Sequence, residues 1–255
     1  MSLRIPLAIA LVALCSARAS AQAAAPPPIL SSRVGIAKPT GIVAPGKVQV
    51  EAGYSHSHTE ARTRHVVGET TLRLGLGHDT ELRLGLPSYQ RTITTSLTTA
   101  GVADASFALK HRLRTARGLR PALAISAGAT LPTGERQVSS GAAQPEAALA
   151  AEWTISPAIR GGAFLAHRSS VLQDDRFGVT TAALAGRALL GSRTLFQLDA
   201  ARVHSARAGG TETTRGRATL ALRLTSNLQL DAWGERASTA GTAEHLVGLG
   251  LARRW

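Results

Sequence analysis

Charged side chains at every second position, opposite leucines, carry most of the chemistry that this sequence offers. In residues 70–86, TTLRLGLGHDTELRLGL, Arg73 and Arg83 each stand between leucines on either side of the short polar turn 77–80. A period of two on both sides of a turn predicts a β-hairpin with the leucines on one face and both arginines on the other. Guanidinium groups that face a water-filled interior would attract anions and discriminate between solutes.

The same alternation recurs along the chain and assigns a set of polar side chains to the face opposite the apolar one. A charged side chain facing lipid near the middle of a membrane costs about 2–4 kcal/mol, so these residues are predicted to face a lumen. Two roles stay open for them: they set ion or solute selectivity, or they pair with one another and brace a narrow barrel. The predicted lumen residues are Arg73, Glu81, Arg83, Lys110, Arg112, Glu152, Asp199, Arg217, Arg223, Gln229 and Asp231.

Other reactive groups lack the partners that known chemistries require. His56 and His58 could bind a metal ion from a strand end, but no third ligand follows at a defined spacing. Asp174, Asp175 and His204 fall at predicted outer strand ends, where outer-membrane aspartyl-type proteases keep acidic and Asp–His pairs, yet the Asp-His dipeptide is absent. No Gly-x-Ser-x-Gly elbow and no glycine-rich phosphate loop occurs. The sequence therefore predicts no catalytic residue, no metal site and no cofactor.

The first 45 residues are predicted to lie outside the folded domain. Arg4, the short apolar run 5–14 and the small-residue site Ala-Ser-Ala at 19–21 indicate a secretory signal peptide over residues 1–21. Cys15, the single cysteine, falls inside it, so no disulfide is expected. Residues 22–45 are rich in Pro and Ala and read as an extended or disordered periplasmic leader that could plug a lumen.

Residues 46–255 are predicted to form an all-β, antiparallel, transmembrane up-and-down β-barrel of about twelve strands. No later run of 18 apolar residues occurs, so a membrane location requires a closed barrel. Short turns alternate with polar stretches that read as long outer loops, and an even number of strands returns both termini to the periplasm. The predicted outer loops are 57–64, 91–100, 132–145, 169–176, 205–214 and 235–244, with Thr92–Val102 and Pro132–Pro145 gating entry. The register of residues 177–190 stays open, because both faces there are apolar.

Charge and the chain end indicate the partners. The net charge is +13, but the export signal and the scatter of single arginines argue against nucleic acid. A basic lumen, a surface that meets anionic lipid headgroups, or a simply arginine-rich composition remain alternatives. The last strand ends on Trp255. Outer-membrane proteins typically end on an aromatic residue, which their barrel-assembly machinery recognises. The predicted membrane-interface anchors are Tyr54, Tyr89, Trp153 and Trp255.

The chain resembles the family of outer-membrane transporters named after the meta-pathway of phenol degradation, through several short segments that occur in the family's order. The resemblance implies an outer-membrane barrel and the uptake or efflux of small hydrophobic or aromatic compounds. It supplies no catalytic motif. The segments are 45–54 (PGKVQVEAGY), 81–85 (ELRLG), 104–113, 131–134 (LPTG), 145–146 (PE) and 227–231 (NLQLD).

These observations lead to a functional hypothesis and two alternatives. The chain is expected to be a non-enzymatic outer-membrane barrel that passively transports a small solute, with outer-membrane lipid and lipopolysaccharide as its surroundings. The alternatives are a structural or adhesive surface barrel with a closed lumen, and an enzyme at the outer rim. The sequence leaves the solute, the direction of transport and the oligomeric state open.

Overall fold

The computed structural model describes residues 28–172, 174–207 and 209–255. The signal-peptide prediction and the first residues of the leader, 22–27, lie outside the described residues. The described chain forms one antiparallel sheet that closes on itself through pairing of the first strand with the last, which confirms the predicted twelve-stranded barrel. The strands are β1 (Val48–Thr59), β2 (Arg62–Val67), β3 (Thr71–Gly77), β4 (Thr80–Gly85), β5 (Tyr89–Thr94), β6 (Thr98–Val102), β7 (Ala105–Arg114), β8 (Ala122–Leu131), β9 (Gln144–Thr154), β10 (Ile159–Leu172), β11 (Asp175–Leu190), β12 (Thr194–Ser205), β13 (Thr211–Thr225), β14 (Leu228–Thr239) and β15 (Thr242–Arg254).

Fifteen segments make twelve wall strands because three wall strands are each interrupted once. The pairs β2/β3, β4/β5 and β6/β7 each continue one wall strand, with breaks at 68–70, 86–88 and 103–104. Gly68 adopts φ of 72°, a conformation that favours glycine, and Pro87 has no N–H to donate. The wall stays continuous across the breaks, since Leu86 N donates to Thr70 O at 2.9 Å.

The prediction of long outer loops is wrong for most of them. The stretches 57–64 and 235–244 extend the paired strands and close in tight turns at residues 60–61 and 240–241. The stretches 91–100, 169–176 and 205–214 are likewise mostly strand, and only 132–143 remains a long loop among the described connections. The cause is that these strands project past the membrane, where both faces meet water and the apolar alternation disappears.

Burial alternates along the strands as the sequence predicts. Leu184 and Leu190 are exposed on the outer surface of β11, whereas Ala183, Ala185 and Arg187 are buried inside, which settles the register of residues 177–190. Leucines and valines of the neighbouring strands are also exposed outward, as a lipid-facing wall requires. The predicted anchors lie on this surface with exposed side chains: Tyr54, Tyr89, Trp153 and Trp255.

Residues 28–45 of the leader are folded inside the barrel. From residue 28 onward the leader is irregular except for a single 3-10 turn at Ser32–Val34, and most of its residues are buried. Ile29 and Val34 have no exposed surface. Among the described residues no helix is long and apolar enough to cross a membrane.

Candidate functional site

Residues 29–45, called the plug below, enter and leave the barrel at the end where β1 begins and β15 ends. Ile29 N donates to Ser226 O at 3.0 Å in the β13–β14 turn, and Gly46 N donates to Gly75 O at 2.9 Å as the chain reaches β1. Between these points the plug rises to Lys38 and returns. The inner half of the lumen is therefore filled by chain, with the loop tip pointing toward the outer half.

Lumen side chains satisfy the backbone of the plug. An irregular segment has no strand beside it, so its N–H and C=O groups need other partners when buried. Glu51 accepts from Ser32 N at 3.0 Å and from the hydroxyls of Ser32 and Ser31 at 2.7 and 3.1 Å. Farther along, Val43 N donates to Glu81 at 2.7 Å and Ala37 N donates to Asp199 at 3.0 Å. Three carboxylates thus hold the plug at three points.

One buried ion cluster lies on β1, β3 and β4. Arg73 donates to Glu51 at 2.8 Å and to Glu81 at 2.8 Å, and Arg83 donates to Glu81 at 2.5 Å. Arg73 also donates to the plug carbonyl of Leu30 at 3.1 Å. Arg73 is 2% exposed and both carboxylates are fully buried, so this arginine braces the wall and the plug together.

A second buried cluster lies on the opposite wall. Arg187 donates to Glu152 at 2.5 Å, to Gln197 Oε1 at 2.8 Å and to the plug carbonyl of Ala37 at 2.8 Å. Gln197 in turn donates to Asp199 at 2.9 Å. The tip of the plug is therefore held from the side opposite to Glu51.

Apolar contacts and close backbone approach complete the seat of the plug. Val34 packs against Leu195 and Ala221, and Ile36 packs against a group of inward-facing alanines of β11 and β12. A Cβ at Gly35 would come within 1.8 Å of Gln197 Nε2, so a side chain here must displace the Gln197 amide from its bonds to Arg187 and Asp199. Small residues on the wall and in the plug thus permit close packing.

Lys38 at the tip of the plug is half-buried below the vestibule, near Arg217 and Arg83 as well as the acids Glu51 and Asp199. Its ammonium donates to Ser32 O at 3.2 Å and to Gly35 O at 2.9 Å. Burial, followed by repulsion from Arg217 and Arg83, lowers the pKa of Lys38 to about 8. The docked plug therefore releases this proton at a lower pH than a solvated plug would.

We expect raising the pH from about 7 to about 9.5 to make channel openings rarer, because the docked state binds fewer protons than the released state in that range. Stabilisation of docking then rises with pH. Open probability in planar bilayers measures the effect, and Lys38→Met should abolish it. Lys47→Met, at an exposed position at the entrance to β1, serves as the control. Persistence of the full pH dependence in the Lys38 variant would contradict the assignment.

Above the plug a cavity of about 790 Å³ forms an outer vestibule. Trp233 lies in its wall with the Arg217 guanidinium 3.9 Å from the ring centroid. Glu235 accepts from Arg215 at 2.5 Å and from Arg217 at 2.7 Å. Only two acids, Glu69 and Glu244, line the cavity, against seven basic residues: Arg33, Lys38, Arg62, Arg64, Arg83, Arg215 and Arg217.

The predicted lumen residues differ in how far they are buried. Six of them are almost completely buried: Arg73, Glu81, Lys110, Glu152, Asp199 and Asp231. Arg83 and Arg217 reach the vestibule, and Gln229 is buried. Arg112 pairs with Asp79 in the inner turn and therefore lies at the periplasmic mouth, while Arg223 is half-buried near that end. Asp231 accepts no hydrogen bond among the described residues, and Arg33 Nε lies 4.0 Å away.

Sequence reasoning missed several lumen residues. Glu235 falls in the predicted outer loop 235–244 and Arg215 directly follows the predicted loop 205–214, although both continue the alternation of Asp231 and Arg217. Trp233 falls at an inward position by the same period, which was the available signal. Arg187 lies in residues 177–190, where the alternation does not show which face points inward.

The other candidate groups are not brought together. No cluster of three potential metal ligands occurs among the described residues. His56 and His58 lie on the outer surface of the barrel. His204 is exposed beside Thr180 and Glu212, whereas Asp175 lies five residues farther along β11 and is 3.7 Å from Arg207.

Comparisons with known proteins agree with this architecture. The family model described as "Putative MetA-pathway of phenol degradation" matches residues 31–166. An outer membrane channel from Pseudomonas putida F1 superposes with a TM-score of 0.68 at 16% identity, covering 84% of this chain and 97% of that one. The NanC porin (TM-score 0.55, 9% identity, 81% and 98% covered) and the translocator domain of autotransporter NalP from Neisseria meningitidis (0.52, 10%, 82% and 88%) share the fold. No curated protein matches. The barrel is that of an outer-membrane protein.

Proposed function

The chain belongs to the phenol-degradation MetA-pathway family, and on that premise we propose that it is a passive outer-membrane channel for small aromatic anions. The observation that carries the proposal is the vestibule, where basic side chains surround an aromatic platform above a plug. We assign no catalytic residue and no cofactor to it.

The vestibule fits an aromatic carboxylate or phenolate. Four acids, Glu69, Glu81, Glu235 and Glu244, pair with five of its seven cations, and the remaining net positive charge attracts anions to the entrance. The Arg217 guanidinium lies over the ring of Trp233, which is only 9% exposed, so a flat aromatic solute would stack on this guanidinium rather than on the ring itself. Arg215 and Arg217, which also donate to Glu235, stand beside the charged group of the solute. A neutral sugar has no charge to pair with the arginines and no flat aromatic ring, so the site favours flat anions over neutral polyols.

The plug acts as the gate in this proposal. Its bonds to Glu51, Glu81 and Asp199 are polar and can be exchanged for bonds to water, so release leaves no buried group without a partner. The solute then passes down its concentration gradient along the lumen arginines. Arg83 and Arg217, which reach the vestibule, are the proposed selectivity residues.

A second candidate function rests on the same plug. Because the plug fills the inner lumen and is tied to both walls, the barrel could stay closed and serve as a structural or adhesive surface protein. Transport assays on the intact chain separate the two functions.

We expect proteoliposomes to swell faster in benzoate than in a neutral sugar of similar size, and Trp233→Leu to reduce the benzoate rate several-fold without changing the sugar rate. The reason is the loss of the cation–π contact that holds Arg217 in place for the anion, worth roughly 1 kcal/mol. Trp153→Leu, on the lipid-facing surface, is the matched control. Exclusion of every solute would favour the structural barrel, and equal rates for both solutes would refute aromatic selectivity.

Two partners complete the proposal. Barrel-assembly machinery would bind β15, which ends next to the exposed Trp255 and closes the barrel against β1. Lipopolysaccharide and outer-membrane lipid would contact the exposed apolar belt.

A further inference from the structure

A group of basic side chains faces outward just above the apolar belt. It is called the outer basic patch and lies on the neighbouring strands β5, β2, β1, β15 and β14. Their inward-facing neighbours, among them Arg64, Ser57 and Leu246, line the vestibule, so the alternation directs the patch residues to the outside. The patch comprises His56, His58, His65, Arg91, Arg236 and His245.

Strand register places these residues side by side. His65 is paired with His56 on one side and with Arg91 on the other, and the two imidazole rings lie 4.7 Å apart. One row farther out, His245 is paired with His58 and with Arg236. The patch is thus one continuous surface.

The patch lies at the outer edge of the lipid-facing belt. His56 is paired with Val247, and Tyr54, two residues nearer the membrane, is paired with Leu249, which is 62% exposed. The patch belongs to the barrel end opposite the start of β1 and the end of β15, which is the extracellular end in this topology. Headgroup phosphates of outer-leaflet lipids occupy this level.

No acid of these five strands faces outward with the patch, and the exposed Glu60 lies beyond them in the β1–β2 turn. Across these five strands, all described, the acids Glu51, Asp231, Glu235 and Glu244 point inward. Within the described residues Arg91 and Arg236 form no ion pair, unlike Arg62, which pairs inside with Glu244 at 2.9 Å. Unpaired guanidinium groups are suited to bidentate phosphate binding, and imidazoles donate N–H bonds in either protonation state.

We propose that the outer basic patch binds the phosphate groups of lipopolysaccharide, the phosphorylated glycolipid of the outer leaflet. Arg91 and Arg236 bind the phosphate oxygens, the histidines add N–H donors between them, and the acyl chains lie against Tyr54, Val67 and Val247. This site is independent of transport, since it requires only the outer-membrane location.

Binding of diphosphorylated lipid A to the detergent-solubilised protein, followed by native mass spectrometry, tests the proposal. The double variant Arg236→Ser/His245→Ser should weaken binding about tenfold, as expected for the loss of one charge-assisted hydrogen bond. Arg202→Ser/His204→Ser removes the same two residue types from the exposed surface of β12 and should leave binding unchanged. Heat-modifiable migration in gels verifies that both variants are folded.

Two further ligands identify the chemistry. Lipid A without phosphates should bind the wild-type protein about tenfold more weakly, and inorganic phosphate at millimolar concentration should not displace lipid A. Equal binding of both lipid forms, or equal losses in the two double variants, would overturn the proposal. Displacement by inorganic phosphate would overturn the assignment to a lipid.

Discussion

Deletion of residues 29–43 is expected to convert rare or absent openings in planar bilayers into a steady open level. The plug occupies the inner half of the lumen, and the wall closes through β1 and β15 without it. Removal leaves Glu51, Glu81 and Asp199 facing water, which solvates them in place of the plug backbone. Single-channel conductance measures the change.

A milder variant separates gating from damage to the barrel. Gly35→Leu keeps every wall residue but places a side chain where Gln197 leaves no space, so the plug should undock and conductance should rise. Gly216→Leu, at a strand position with open space around a Cβ, is the control. If the deletion and the Gly35 variant both remained closed while folded, the plug would not be the gate.

Replacing Arg73 with alanine is expected to lower the free energy of unfolding by about 3–5 kcal/mol, the cost of leaving buried charges unpaired. Glu51 and Glu81 both lose their main partner while fully buried. Urea-induced unfolding in lipid vesicles measures the loss. Arg83→Ala should lower the free energy of unfolding by less than Arg73→Ala does, and it should change ion selectivity, because Arg83 reaches the vestibule.

Charge-neutral repair provides the control for Arg73. The double variant Arg73→Met, Glu51→Gln removes one cation and one anion and leaves Glu81 paired with Arg83, so most of the lost stability should return. A loss below about 1 kcal/mol for Arg73→Ala would contradict the bracing role, since that is the range of exposed ion pairs. A change in ion selectivity without loss of stability would favour the pore-lining role instead.

The class of fold and the face on which most side chains lie follow from local patterns in the sequence. Strand geometry has a period of two, so alternation of Leu72, Leu74 and Leu76 with Arg73 defines inside and outside from local information. The barrel and its lipid-facing leucines could be predicted for this reason. The register of 177–190 could not, because alanines there satisfy either face.

The roles of the inward-facing residues depend on the tertiary structure, which sets their partners and their depth in the barrel. Pairing of β1 with β3 and of β3 with β4 brings Glu51, Arg73 and Glu81 together, although 22 and 8 positions separate the arginine from its two partners. The plug adds partners from a segment without any period, so Arg73 and Arg83, equivalent in the sequence pattern, acquire different roles. Period two specifies a face, but depth and partner depend on strand order and on the chain that fills the lumen.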